Sequence, residues 1–288
     1  MTINLGTACF STNGALHLYC IYMHWKLENI LKKQGGGILL EDETVLVLNK
    51  PSGFLVLPDR FDRNLMNLYE LLKETFGSIF VVHRIDRETS GVILFAKTAE
   101  AHALLNSAFE QRQVEKKYQA IVIGSPTVPC GTIDLPIAEN EHGVRKMKID
   151  KNHGKEAITD YEVIEIFRGY ALVEAKPRTG RTHQIRVHLS SIGLPILADS
   201  LYSASGRFFL SNIKRNYKSN GEEKPLLGRT GLHAFSLRFQ HPATDESTLI
   251  EAPMPHDMTT VLKALRKYEG RSHVPDRSVS IDGDTKQG

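Results

Sequence analysis

The sequence predicts an α+β fold with a mixed or largely antiparallel sheet. Three observations lead there. Short apolar or alternating runs bounded by Gly, Pro and Asx turns recur along the chain. Helical periods are few, and strands and helices never alternate as a regular βαβ series would. The 288 residues suffice for a sizeable core, and 41% hydrophobic with 24% charged residues is the balance of an ordinary globular chain.

The elements follow in order. The leader over 1–36 begins MTINLGTACFSTNGALHLYCIY without a clear pattern, so it is expected to be poorly ordered, with Met23 an alternative start. Its first Lys is Lys26, so the basic opening of a signal peptide is lacking. GILLEDETVLVLNKPSG (37–53) reads as strand, acidic turn, strand and Pro-Gly turn. Leu68, Leu71, Leu72 and Phe76 share one face of a helix over 67–76. The run 92–96 is a buried strand. Thr98 is an N-cap for a helix reaching about Arg112, with Leu104, Leu105, Ala108 and Phe109 as its core stripe.

A strand over 117–123 is followed by a turn-rich excursion, 124–155, which groups Arg145, Lys146, Lys148 and Lys151. Strands resume at 157–167 and 170–177. A helix over 182–192 is entered through the turn Arg178–Arg181 and carries Ile185, Leu189 and Ile192 before Gly193 and Pro195 stop it. A further strand spans 232–239. The folded domain is expected over 37–265, with a disordered tail over 266–288.

Charge and cysteines exclude more than they assign. A net charge of +3 is compatible with nucleic acid but decides nothing alone. Cys9, Cys20 and Cys130 are widely spaced, with no CxxC, so neither a zinc knuckle nor a disulfide framework is supported; a reducing, cytoplasmic setting is expected. The apolar stretches are too short to cross a membrane.

The chemistry concentrates in two places. In HRIDRETSGVILFAK, Asp86 stands between Arg84 and Arg87. Neighbouring cations should hold its pKa below the ordinary value of about 3.9, which suits a nucleophile or electrostatic stabiliser and equally a structural ion pair. In the second place Arg178, Arg181 and Arg186 gather with His183 and His188 at a helix start, fit either for an anion or for a solvated basic face. On a helix the two histidines point ~140° apart, so one ion cannot take both, and no metal is expected. Tyr118 shares a strand face with Ala120 and Val122, either as a core side chain or as a ring that stacks on a base. Ser90 near His83 and Asp86 lacks the GxSxG elbow of a hydrolase, and Lys50-Pro51-Ser52-Gly53 lacks a Walker pattern.

HRIDRETSGVILFAK resembles the signature of the RluA family of pseudouridine synthases, H-R-[LI]-D-x-x-T-S-G followed by an apolar strand and A-K. LNKPSGFLVLPD, KKYQAIV, RTGRTHQIRVHLSSIGLPI and LHAFSLRFQHP agree in order, extending the likeness over about residues 40–256. The resemblance implies a pseudouridine synthase fold: a central mixed, mostly antiparallel sheet in two halves, flanking helices and a cleft between the halves. It implies an isomerase that detaches the uracil of a uridine in structured RNA (tRNA or rRNA), turns it and rejoins it through carbon.

By this resemblance Asp86 is the catalytic carboxylate, Arg186 its pairing cation and Tyr118 the ring that stacks on the base. Arg84 enters the RNA stack as the nucleotide flips out, Ile185 walls the base pocket, and Arg181 and His183 lie on the substrate side. No cofactor and no metal are implied, and a monomer is expected. Only about 40 residues precede the first strand, so RNA selection is expected of the catalytic domain and its 124–155 excursion. Where relatives carry P-I-x-G-D-x-x-Y, this chain has Ala198 for the Gly, which puts a turn in question. A non-catalytic RNA-binding protein of the same fold, and a hydrolase acting through Asp86, are the rival readings.

Overall fold

The computed structural model describes residues 14–59, 62, 64–140, 146–218 and 221–271. The elements are α1 (Gly14–Lys33), β1 (Gly37–Glu41), β2 (Val45–Lys50), α2 (Leu68–Phe76), β3 (Phe80–Val81), β4 (Ser90–Ala96), α3 (Ala99–Glu110), β5 (Glu115–Ile123), β6 (Cys130–Asp134), β7 (Ile137–Glu139), β8 (Met147–Ile149), β9 (Ile158–Phe167), β10 (Tyr170–Pro177), α4 (Gln184–Ser191), β11 (Leu232–Gln240), β12 (Ser247–Glu251) and α5 (His256–Tyr268). One sheet runs β1-β2-β4-β11-β5-β10-β9-β6, with β3 on β4 and β12 on β11, while β7 and β8 pair by themselves. The α+β class and the mostly antiparallel sheet are as expected from the sequence.

The halves meet at a narrow seam. A parallel pairing there sets Ser90 and Gly91 of β4 beside His233 and Ala234 of β11. Gly91 has φ 114°, and a Cβ there would lie 2.1 Å from the Ala234 carbonyl oxygen. Only glycine permits that approach. Buried Ser90 bonds the Nδ1 of buried His233 at 3.0 Å, and His233 Nε2 reaches the Ala252 carbonyl at 3.1 Å. Burial lowers the His233 pKa to about 4, keeping the ring neutral.

Helices cover both faces. Leu27 and Leu31 of α1 with Leu68 and Leu72 of α2 pack on Leu46, Leu48, Ile93 and Phe95. Leu105 of α3 packs on Val47, Leu94 and Phe239 on the opposite face. In the second half, Ile185 and Leu189 of α4 meet Val122 and Val173, while Val261, Leu262 and Leu265 of α5 meet Ile121 and Phe167 behind. The cap read from the sequence is present, Thr98 accepting the Ala101 N–H, and Asn67, expected inside its helix, instead caps it by accepting the Glu70 N–H.

Several expectations need correction. Within the leader 1–36, Gly14–Lys33 is a helix, anchored by buried Met23, Leu27 and Leu31; residues 1–13 lie outside the described residues. Leu18, Ile21, Tyr22 and Trp25 are exposed on its outer side, so apolar residues ring the helix and blur its amphipathic period. The 124–155 excursion is partly core, because β6 pairs with β9 as the last strand of the sheet. Leu104 is 58% exposed and Ile192 39% exposed, so neither belongs to its core stripe.

Strand β12 and helix α5 were not anticipated. Met258, Val261, Leu262 and Leu265 stand at helical spacing and are buried, and α5 carries the fold to Tyr268. The expected disordered tail therefore loses residues 266–268 to this helix, and 272–288, like Arg145, lie outside the described residues.

Candidate active site

A cleft of about 480 Å³ opens where the two halves join. It is lined by Arg84, Ile85 and Asp86 from the loop before β4, Tyr118 from β5, and Arg181, His183, Ile185 and Arg186 from the start of α4. All seven sequence-predicted site residues, from three distant stretches of chain, thus meet on one wall or the other.

The Asp86 loop is held from below. Lys50 is fully buried at the end of β2, and its Nζ donates to the carbonyls of Pro51, Phe54 and Arg87 at 2.9–3.0 Å. Three acceptors match the three donors of an ammonium. Burial pulls the Lys50 pKa down to about 7, with the Asp86 charge acting against that fall. Arg87 Nε donates to the Gly53 carbonyl, and the Thr89 N–H donates to the Asp86 carbonyl. The neighbours that sequence reading assigned to Asp86 therefore face elsewhere: Arg87 braces the loop, and Arg84 reaches across the cleft to donate to Thr182 Oγ1 at 3.3 Å.

The partner of Asp86 comes from a hundred residues further along. Arg186 Nη1 donates to Asp86 Oδ2 at 3.1 Å. The guanidinium is fixed from its other side by Asp199, which accepts from Nε at 2.7 Å and from Nη2 at 2.8 Å. Arg186 and Asp199 are buried, whereas the Asp86 side chain keeps 29% of its surface open to the cleft. Burial opposes the Arg186 charge, but the hydrogen bonds and charges of Asp199 and then Asp86 outweigh it, so its pKa lies above the ordinary value. Asp199 also accepts the N–H groups of Leu201 and Tyr202, making its turn a rigid seat for the arginine.

That turn includes Ala198, at φ 57° and 2% exposed. The left-handed backbone costs an alanine ~1 kcal/mol, and burying its methyl group returns about 0.8 kcal/mol. The two effects nearly cancel, so the departure from glycine leaves the turn intact.

Tyr118 stands opposite Ala175 of β10 on one side and Ala234 of β11 on the other. The ring packs against the apolar clusters of both halves. Burial, and secondarily the Asp86 charge, hold its hydroxyl pKa above the ordinary value, so the resting group is a neutral phenol. Ile185 is buried at the cleft floor. The turn before α4 is built around buried Gln184. Its Oε1 accepts from Thr179 Oγ1 and the Arg181 N–H, and its Nε2 donates to the Ile158 carbonyl and to Thr159 Oγ1. This presents Arg181, whose Nε donates to the Glu156 carbonyl at the rim.

His183 enters α4 at φ 54°, its Nδ1 3.0 Å from the Tyr202 hydroxyl and its Nε2 3.9 Å from Asp86 Oδ2. Burial lowers its pKa, with Asp86 opposing. His188 lies apart, buried between Thr159 Oγ1 and the Leu135 carbonyl. Ser90 faces His233 rather than the cleft, and His83 Nε2 accepts the Leu94 N–H, so no hydrolase triad forms. Among the described residues no three His, Cys, Asp or Glu side chains converge on a metal position. Sequence reading assigned no role to Lys50, Asp199 or Tyr202, although the D-x-x-Y pattern at 199–202 was visible.

Comparison with known proteins agrees with this geometry. The profile of the family described as RNA pseudouridylate synthase matches residues 44–191. The chain is 39% identical over 237 residues to ribosomal large subunit pseudouridine synthase D of Pseudomonas aeruginosa, covering 80% of this chain and 72% of that one. It is 37% identical over 244 residues to ribosomal large subunit pseudouridine synthase C of Pasteurella multocida, covering 83% and 70%. The solved structure of human RNA pseudouridylate synthase domain containing 4 superposes with a TM-score of 0.64 at 27% identity, covering 85% of this chain and 98% of that one.

Fold, cleft and likeness together define an isomerase that acts on RNA. The chain belongs to the RNA pseudouridylate synthase family, in its RluA branch, and is an RNA pseudouridine synthase.

Proposed function

We propose that this enzyme isomerises uridine in large-subunit ribosomal RNA, as a monomer in the cytoplasm, with Asp86 as its catalytic carboxylate. One observation carries the reading: a partly exposed Asp86, paired with a doubly anchored Arg186, lines the same cleft as Tyr118. The ribosomal substrate is supported by the names of the relatives. Among the described residues no helix is long and apolar enough to cross a membrane.

In the reaction the bond from N1 of uracil to C1′ of ribose breaks, a C5–C1′ bond forms, C5 loses a proton and N1 gains one. Asp86, oriented by Arg186, stabilises or captures the electron-poor sugar or base that appears on cleavage. Tyr118 stacks on the turning base, and Ile185 closes the pocket beneath it. Flipping the nucleotide out of the RNA costs a few kcal/mol. Arg84 offsets that cost by leaving Thr182 and filling the vacated stack. Arg181 and His183 sit where the flanking backbone passes, and the cationic rim makes binding salt-dependent.

The test is a map of pseudouridines in ribosomal RNA from cells with and without the gene. A position modified in the parent, unmodified in the deletion and restored by the wild-type gene is expected. Identical maps, together with no product on unmodified ribosomal RNA in vitro, would contradict the proposal and favour a non-catalytic RNA binder.

A further inference from the structure

Tyr202 touches both the small β7–β8 hairpin and the wall that carries Arg186. Its hydroxyl accepts the backbone N–H of Met147, in the hairpin, at 2.8 Å. The same oxygen lies 3.0 Å from His183 Nδ1. Its ring stands 5.1 Å from the guanidinium of Arg186 and 5.3 Å from Nζ of exposed Lys146. With Met147 and Ile149 it packs beside Ile137, Ala157 and Val187, a cluster separate from the main cores. Val187 follows Arg186 in α4, so the hairpin rests on the helix that carries the catalytic cation.

The hydrogen bonds have a direction. The Tyr202 oxygen takes the Met147 N–H and has one proton of its own to give. If it gives that proton to His183 Nδ1, the ring's remaining N–H sits on Nε2, facing the Asp86 carboxylate 3.9 Å away. The opposite tautomer would aim a lone pair at an anion. Electrostatics therefore select a chain from the hairpin backbone through Tyr202 and His183 to Asp86.

We propose that Tyr202 is a positioning residue that couples docking of RNA on the β7–β8 hairpin to the setting of Arg186 and His183 around Asp86. Lys146 and Lys148 are exposed cations of the hairpin, Lys148 lying 3.3 Å from Asp150 Oδ2, so a phosphate drawn to them pulls on the strand whose Met147 N–H Tyr202 holds. The proposal rests on the catalytic roles given above to Asp86 and Arg186.

The experiment measures kcat and KM for pseudouridine formation on a pool of unmodified ribosomal and transfer RNA transcripts. It compares wild type, Tyr202→Phe, the pair Lys146→Ala/Lys148→Ala, and all three changes combined, each with a thermal melt. Tyr202→Phe keeps the ring, so the melting temperature should fall by no more than roughly 4 °C. Its kcat should drop about tenfold as the two part-buried hydrogen bonds of the hydroxyl are lost, with KM nearly unchanged. The lysine pair should lower kcat in the wild-type background and leave it unaltered in the Tyr202→Phe background. A wild-type kcat in Tyr202→Phe, or fully additive losses, would overturn the coupling. Asp86→Asn run alongside separates the two levels: if it retains activity, the assignment of Asp86 has failed and this proposal falls with it.

Discussion

Two anions share one guanidinium here, and their surroundings divide the labour between them. Asp199 has no exposed surface and takes two of the Arg186 hydrogen bonds; Asp86 takes a third and stays open to the cleft. Breaking the buried pair leaves a charge uncompensated. Asp199→Asn should therefore lower unfolding free energy in urea by about 3 kcal/mol and reduce turnover with it. Unchanged stability would mean that the pair is not what seats the arginine. Asp86 and its place in the cleft were legible in the sequence because the signature is contiguous. Its partner's anchor was not, since Asp199 follows Arg186 by thirteen residues and only the turn through Ala198 brings it back.

At the scale of elements, the seam between β4 and β11 governs the geometry of the cleft, because it places the Asp86 loop beside Tyr118. A methyl group at Gly91 would strike backbone, which cannot swing aside. Gly91→Ala should cost about 3 kcal/mol of stability and disturb activity out of proportion to its size; a neutral variant would refute the role of the seam. The same junction is sensitive to acid. His233 titrates near 6.5 when unfolded and at about 4 when folded, so between those values the unfolded chain binds more protons. Its contribution is complete above about pH 6.5 and is lost as pH falls toward 4, on the order of 3 kcal/mol in all. His233→Gln should flatten this limb of the stability–pH curve; an unaltered limb would contradict the assignment.

Elements with a clean period, such as β4, α2 and α3, were readable from sequence alone. Helix α1 was obscured because its exposed side is also apolar. The partition of the 124–155 excursion, with β6 in the sheet and β7–β8 outside it, depends on pairing with β9 that local pattern cannot specify.

For the whole molecule, a net charge of +3 says little, yet Arg84, Arg112, Lys116, Arg178 and Arg181 all border one cleft. The chain's electrostatics are local, and the class of fold and the family signature conveyed that before any charge count did. RNA affinity should fall linearly with salt on logarithmic axes, and Arg181→Ala should reduce the slope by about 1 without changing which uridine is modified. A slope indifferent to Arg181 would remove the rim from the RNA footprint.

The most direct test of the account compares wild type with Asp86→Asn for pseudouridine formed and RNA bound. Binding should survive within a small factor, because the cationic rim and Tyr118 are untouched, and product should vanish. Pseudouridine still formed by Asp86→Asn would show that the carboxylate gripped by Arg186 is not the group on which the reaction turns.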